Sequence, residues 1–80
     1  MNVEVRLFAT LRAYLPAGSG RTTTQIDLPD TARVADVLGH LAIPPEQAAL
    51  VLVNGRYEAD QQRQLSDGSI LSIWPHVAGG

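Results

Sequence analysis

The sequence predicts an α+β fold: a mixed sheet of four to five strands with one main helix packed on one face. Three observations carry this expectation. Val3, Val5 and Leu7 alternate with Asn2, Glu4 and Arg6, a period of two that marks a half-buried strand. In mid-chain, Val34, Val37, Leu38 and Leu41 fall at i, i+3, i+4 and i+7, which draws one apolar stripe along a helix. Near the end, Ile70-Leu71-Ser72-Ile73-Trp74 is apolar on both faces, as a strand in the middle of a sheet must be.

The other elements fall between these. Thr10 to Leu15 forms a helical turn with Leu11 and Leu15 on one face. Pro16-Ala17-Gly18-Ser19-Gly20 is a loop that lacks the glycine spacing and Walker lysine of a phosphate cradle. Thr22 to Leu28 is β-branched and alternating, with Thr24, Ile26 and Leu28 on one face; it reads as a second strand antiparallel to the first. Pro29-Asp30-Thr31 sets up the helix start, with Asp30 or Thr31 placed to cap the first amides. Pro44-Pro45 cannot continue a helix, so it stops near Leu41 to Ile43. Glu46 to Ala49 makes a further short turn. Leu50 to Val53 is an unbroken apolar strand, Asn54-Gly55 a hairpin turn, and Arg56 to Glu58 a short edge strand. Asp67-Gly68 turns the chain into the last strand, expected beside the first.

Strand, strand, helix, strand, short strand, strand is the β-grasp, or ubiquitin-like, arrangement. It is expected as a single domain over 1-80 with a flexible C-terminal tail, 76-80. The expected core is Val3, Val5, Leu7, Ile26, Leu28, Val37, Leu38, Leu41, Leu52 and Ile73.

Composition narrows the function. The chain has 80 residues and a formal net charge of −2, and its six basic residues are arginines scattered along it. That argues against nucleic acid as a partner. The absence of cysteine excludes disulfides, thiolate metal sites, catalytic thiols and persulfide chemistry on this chain. The absence of lysine excludes side-chain Schiff bases and lysine-linked self-conjugation. Charges interrupt the opening residues and no apolar run reaches membrane-spanning length, so the expectation is a cytoplasmic protein with no membrane partner. There is no nucleophile elbow and no recognisable triad among Ser66, Asp67 and the histidines, so a stand-alone enzyme is not expected. Asp36 and His40, four apart on the polar side of the helix, have the spacing of an ordinary exposed helix contact, and no metal site is assigned to them.

The chain closes on Val77-Ala78-Gly79-Gly80. A double glycine has no side chain to pack, so the fold gains nothing from it. It provides a thin, freely rotating strand bearing a carboxylate; the bland alternative is a frayed terminus. From Pro75 to Gly80 an extended tail spans roughly 17 Å, at about 3.3–3.6 Å per residue. That carries Gly80 from a domain surface into a partner's narrow site. Pro75 removes a ladder donor, ending the last strand and stiffening the exit.

Several stretches together resemble the MoaD/ThiS sulfur-carrier proteins, ubiquitin-like folds that end in Gly-Gly, over essentially the whole chain. Leu7-Phe8-Ala9-Thr10-Leu11-Arg12 resembles the end of the first strand in the molybdopterin-synthase small-subunit branch. Val53-Asn54-Gly55 resembles that branch's hairpin, and Leu65-Ser66-Asp67-Gly68 its approach to the last strand. Trp74-Pro75-His76-Val77-Ala78-Gly79-Gly80 is similar to its aromatic-Pro-Pro-Val-Ala-Gly-Gly ending. His76 replaces the usual second proline, and Trp74 the commoner phenylalanine.

The resemblance implies a protein co-substrate, not a catalyst. A terminal carboxylate titrates near about 3.5, so at pH 7 it is an anion and a poor electrophile. The family implies adenylation of Gly80 by a ubiquitin-activating-type adenylyltransferase that uses ATP, with no cofactor bound by this chain. Sulfur then displaces AMP to leave a thiocarboxylate, which serves a downstream sulfur-accepting synthase. Molybdenum or tungsten pterin synthesis leads the possible pathways, ahead of thiazole, cysteine and other sulfur-transfer routes. By the same resemblance Val77, Ala78 and Gly79 thread into the partner's site, and Trp74, Pro75 and His76 lie in the segment that docks on partners. Phe8 is assigned to the same docking surface, with plain core packing the alternative for Phe8 and Trp74. The alternative is a ubiquitin-like binding module or protein tag, whose tail is inert or joins a lysine on a target.

Overall fold

The computed structural model describes residues 1–76. β1 (Asn2–Leu7), β2 (Thr23–Asp27), β3 (Leu50–Val53), β4 (Arg56–Tyr57) and β5 (Ile70–Trp74) form one mixed sheet in the order β2-β1-β5-β3-β4. α1 (Val34–His40), the one α-helix among the described residues, is accompanied by 3₁₀ turns at Ala9–Tyr14 and Pro45–Gln47. β1 and β2 are antiparallel, β1 and β5 parallel, and β3 antiparallel to β5 and β4. This is the expected β-grasp, with the first and last strands side by side.

Alternation along the strands separates two faces. Val3, Val5 and Leu7 of β1, Val51 and Val53 of β3, and Leu71 and Ile73 of β5 point inward and pack with Val34, Val37 and Leu38 of α1 and with Leu11. Each fully buried aliphatic side chain contributes about 1.5–3 kcal/mol, and an 80-residue chain depends on this one cluster for its stability.

The loop into β5 explains a stretch legible in the sequence. Leu65 is buried in the core, the Asp67 carboxylate accepts the Asn2 N–H at 2.7 Å, and Gly68 takes a positive φ of 81° that favours glycine. Asn54 and Gly55 have φ of 51° and 83°, as a tight hairpin turn requires. The Asn54 side chain also accepts the Ile70 N–H at 2.8 Å, tying the hairpin to the start of β5.

Three expectations are corrected. Leu52 is not core; it is half-buried on the opposite face, and its neighbours Val51 and Val53 face α1. Leu28 lies past the end of β2 and packs only partly against the cluster. The helix starts at Val34, later than a cap at Asp30 or Thr31 requires. Its entry is fixed by the Asp36 carboxylate accepting the Arg33 N–H at 2.8 Å, and by the carbonyls of Arg63 and Gln61 accepting the Val34 and Ala35 amides at 3.0 and 2.8 Å.

Candidate partner-docking face and tail exit

The face of the sheet turned away from α1 is divided. Across β1 and β2 it is polar: the Arg6 guanidinium contacts the Glu4 carboxylate at 2.6 Å, and the Gln25 amide donates to the same carboxylate at 3.1 Å. Across β5, β3 and β4 it is apolar. The Phe8 N–H donates to the Ile73 carbonyl at 3.2 Å, extending the parallel β1–β5 ladder one residue past β1 and setting Phe8 beside Trp74. Their rings stack with centroids 4.3 Å apart and planes 6° apart. Such a pair contributes about 0.5–1.5 kcal/mol beyond its burial.

Neighbouring side chains continue the apolar surface. Leu50 pairs across the strands with Trp74 and is 39% exposed, while Leu52 lies opposite Ser72 on one side and Tyr57 on the other. Tyr57 is 65% exposed. An aromatic pair flanked by two leucines and an exposed tyrosine is the composition of a protein-binding patch. Leu50, Leu52 and Tyr57 were not expected there. The signal was available in the alternation from the Asn54-Gly55 turn, but an unbroken Leu-Val-Leu-Val run does not declare which face is inward.

The chain leaves the sheet beside this patch. The Trp74 carbonyl accepts the Ala49 N–H at 3.0 Å, Pro75 is half-buried, and exposed His76 places Nε2 3.2 Å from the Glu46 carbonyl oxygen. Phe8, Trp74, Pro75 and His76 thus gather at the C-terminal end of the paired strands β1 and β5, with His76 against the 3₁₀ turn Pro45–Gln47. Val77, Ala78, Gly79 and Gly80 lie outside the described residues.

Electrostatics at the patch are spare. Beside it, next to Tyr57, the Glu58 carboxyl is held below the usual carboxylate range by the Asp60 N–H and by Arg63, whose guanidinium lies 2.7 Å away. Asp36 and His40 are both exposed. Among the described residues no group of three or more His, Cys, Asp or Glu side chains is placed to hold a metal ion, and no helix is long and apolar enough to cross a membrane.

Comparisons with known proteins agree with this geometry. The ThiS family model matches residues 5–80. No curated protein matches in sequence. Among solved structures, the Haloferax volcanii HVO 2177 protein is 31% identical, with a TM-score of 0.78 over 100% of this chain and 87% of that one. SAMP1, the small archaeal modifier protein 1 of Haloferax volcanii, is 28% identical with a TM-score of 0.72 over 100% of both chains. A Pyrococcus furiosus protein described as molybdopterin converting factor subunit 1 is 29% identical with a TM-score of 0.69, over 95% of this chain and 98% of that one.

Proposed function

The chain belongs to the ThiS family of small ubiquitin-like carriers and modifiers, which are not themselves catalysts, and on that premise we propose that it carries sulfur on Gly80. The observation that carries this reading is a family match that runs through the Gly79-Gly80 pair, on a fold with an apolar face beside the tail exit. A Gly80 carboxylate oxygen attacks the α-phosphorus of ATP on a ubiquitin-activating-type adenylyltransferase, releasing pyrophosphate. Sulfide sulfur then attacks the acyl carbon and expels AMP, leaving a thiocarboxylate. A partner's persulfide gives an acyl disulfide instead, which a second thiol of the partner cleaves to the thiocarboxylate as the two partner sulfurs join in a disulfide. The activating enzyme supplies ATP and catalysis; this chain supplies the acyl group and binds no cofactor of its own.

The narrow tail Val77-Ala78-Gly79 threads the carboxylate into the partner's site, while Phe8, Trp74, Pro75 and His76 anchor the domain outside it. Leu50, Leu52 and Tyr57 extend that anchor. The recipient of the sulfur is a molybdopterin-forming synthase in the cytoplasm, a reading supported by likeness to the Pyrococcus subunit 1. The test removes Gly80. The shortened protein should fold normally yet form no thiocarboxylate with ATP, the activating enzyme and a sulfur source; sulfur acceptance equal to the parent's overturns the mechanism. Likeness to SAMP1 favours a second reading, a protein modifier joined through Gly80 to lysines of other proteins. With no lysine of its own, the chain cannot then be its own side-chain target.

A further inference from the structure

β2 is the outermost strand on the side of the sheet away from the docking face, and half of its backbone hydrogen-bonding capacity is open. Met1 and Leu28 exchange bonds in both directions, at 2.6 and 2.8 Å, and Leu7 N–H donates to the Thr22 carbonyl at 2.7 Å. With the β1–β2 register, this phase turns the backbone groups of Thr24 and Ile26 toward β1 and those of Thr23, Gln25 and Asp27 outward. Among the described residues, the outward groups have one backbone partner: Gly20 N–H donates to the Thr23 carbonyl at 2.9 Å. The Thr23 N–H and both groups of Gln25 and of Asp27 stay open, at the two-residue repeat of a strand. β2 carries no proline and no lysine, and its register is unbroken, so two common devices that block edge pairing are missing.

This edge opens into a groove of about 580 Å³ that runs along all of β2. Its remaining lining comes from the loop at 16–20 and from His40 at the end of α1. In that loop the Ser19 hydroxyl is buried and has no hydrogen-bond partner among the described residues. Charge then distinguishes the two ends. Around the Asp27 end, Asn2 Nδ2 donates to Asp27 at 3.2 Å, Asn2 N–H to Asp67 at 2.7 Å, and the Met1 ammonium to Asp30 at 3.2 Å. Three exposed carboxylates lie there, and of the three only Asp30 pairs with the Met1 ammonium.

We infer that this groove takes an extended peptide of a partner protein as a sixth strand, antiparallel to β2. The peptide places a lysine or arginine at the Asp27 end and apolar β-branched residues at the alternate positions beside Ile26. A second copy of the chain fits less well. Two-fold pairing about Gln25 sets the copy's Thr23 end, with its 16–20 loop, against Asp27, and one short strand per protomer falls far below the roughly 1,200 Å² of a stable interface. The site is independent of the sulfur-carrier reading, because β2 and the docking face lie on opposite sides of the sheet, and both can be occupied at once.

The test titrates the full chain, labelled with ¹⁵N, with an acetylated and amidated Lys-Val-Thr-Val-Thr-Val peptide. The Thr23, Gln25 and Asp27 amides should shift and exchange their hydrogens more slowly. N-methylation of the two peptide threonines, whose amides face β2, should weaken binding by about tenfold or more. N-methylation of the first two valines, whose amides face away, should leave it. Gln25→Pro removes an N–H that β1 does not use, so the fold should survive while the affinity falls. The inference is overturned if those three amides do not respond, if both methylation patterns cost the same, or if the peptide moves only the amides of Phe8, Leu50 and Trp74. It is overturned equally if the same three amides shift on raising protein concentration without peptide, which assigns the edge to a second copy.

Discussion

The two faces of this sheet are built by the same strands from alternate residues, yet they differ sharply in burial. On the inner face Val3, Val5, Leu7, Leu71 and Ile73 are aliphatic and fully buried under α1. On the outer face the same strands, extended by one residue at Phe8, present a stacked, half-buried aromatic pair, and neighbouring β3 adds the exposed Leu50. Aliphatic side chains with few rotamers fill a sealed layer densely. Stacked rings keep their shape while leaving one side free for a partner. A one-residue register slip would exchange the two sets, which is why the turns that fix register, Asn54-Gly55 and Asp67-Gly68, matter beyond their own few contacts.

The contrast is broken most severely from the inside. Leu71→Ala deletes a fully buried side chain of the central strand and should cost about 2–5 kcal/mol, read from urea or thermal unfolding. For a small domain that is a large share of its total stability.

A sharper test uses adjacent residues of β3. Val53→Ser should cost about 2 kcal/mol or more by opening the core to a hydroxyl, whereas Leu52→Ser should cost about 1 kcal/mol or less. Equal costs would mean that the two faces of β3 are wrongly assigned. The next effect separates folding from recognition. Trp74→Ala should lower stability by about 1 kcal/mol through loss of the stack, but weaken binding to the activating enzyme by about tenfold or more. Loss of folding in that variant would move Trp74 from recognition to structure.

The smallest effect is electrostatic. Because the Glu58 carboxyl is depressed in the fold, its stabilisation is present above the ordinary glutamate range and is lost as pH falls through the lowered value. Glu58→Gln should therefore flatten the acid limb of the stability profile by slightly lowering its neutral plateau, and leave stability below the lowered value almost unchanged, as equilibrium unfolding across pH will read.

The sequence carried most of this architecture because its periods are clean. The alternation of Val3, Val5 and Leu7 and the stripe from Val34 to Leu41 are local signals; the strand formed where expected, and the helix formed along its stripe but starts later than expected. What it did not carry depends on distant backbone. The helix entry looked capped at Asp30 or Thr31, but it is set by an isolated bridge between Arg33 and Gln64 and by the 61–63 carbonyls, which reach it only after the chain has folded back. In β3 every residue is apolar, so inward and outward sets become distinguishable only through the pairing with β5. At the site, Phe8 and Trp74 were legible through the family resemblance. Their direct contact follows from the parallel β1–β5 register, which no local pattern announces.

The central claim is that the tail, not the folded domain, carries the chemistry. Its most direct test is an intact mass of the protein after reaction with ATP, its activating enzyme and a sulfur source, followed by fragmentation of the C-terminal peptide. The account predicts a mass change equal to one oxygen replaced by sulfur, located on Gly80 and lost when Gly80 is deleted. An unchanged mass, or sulfur placed on any other residue, would contradict it.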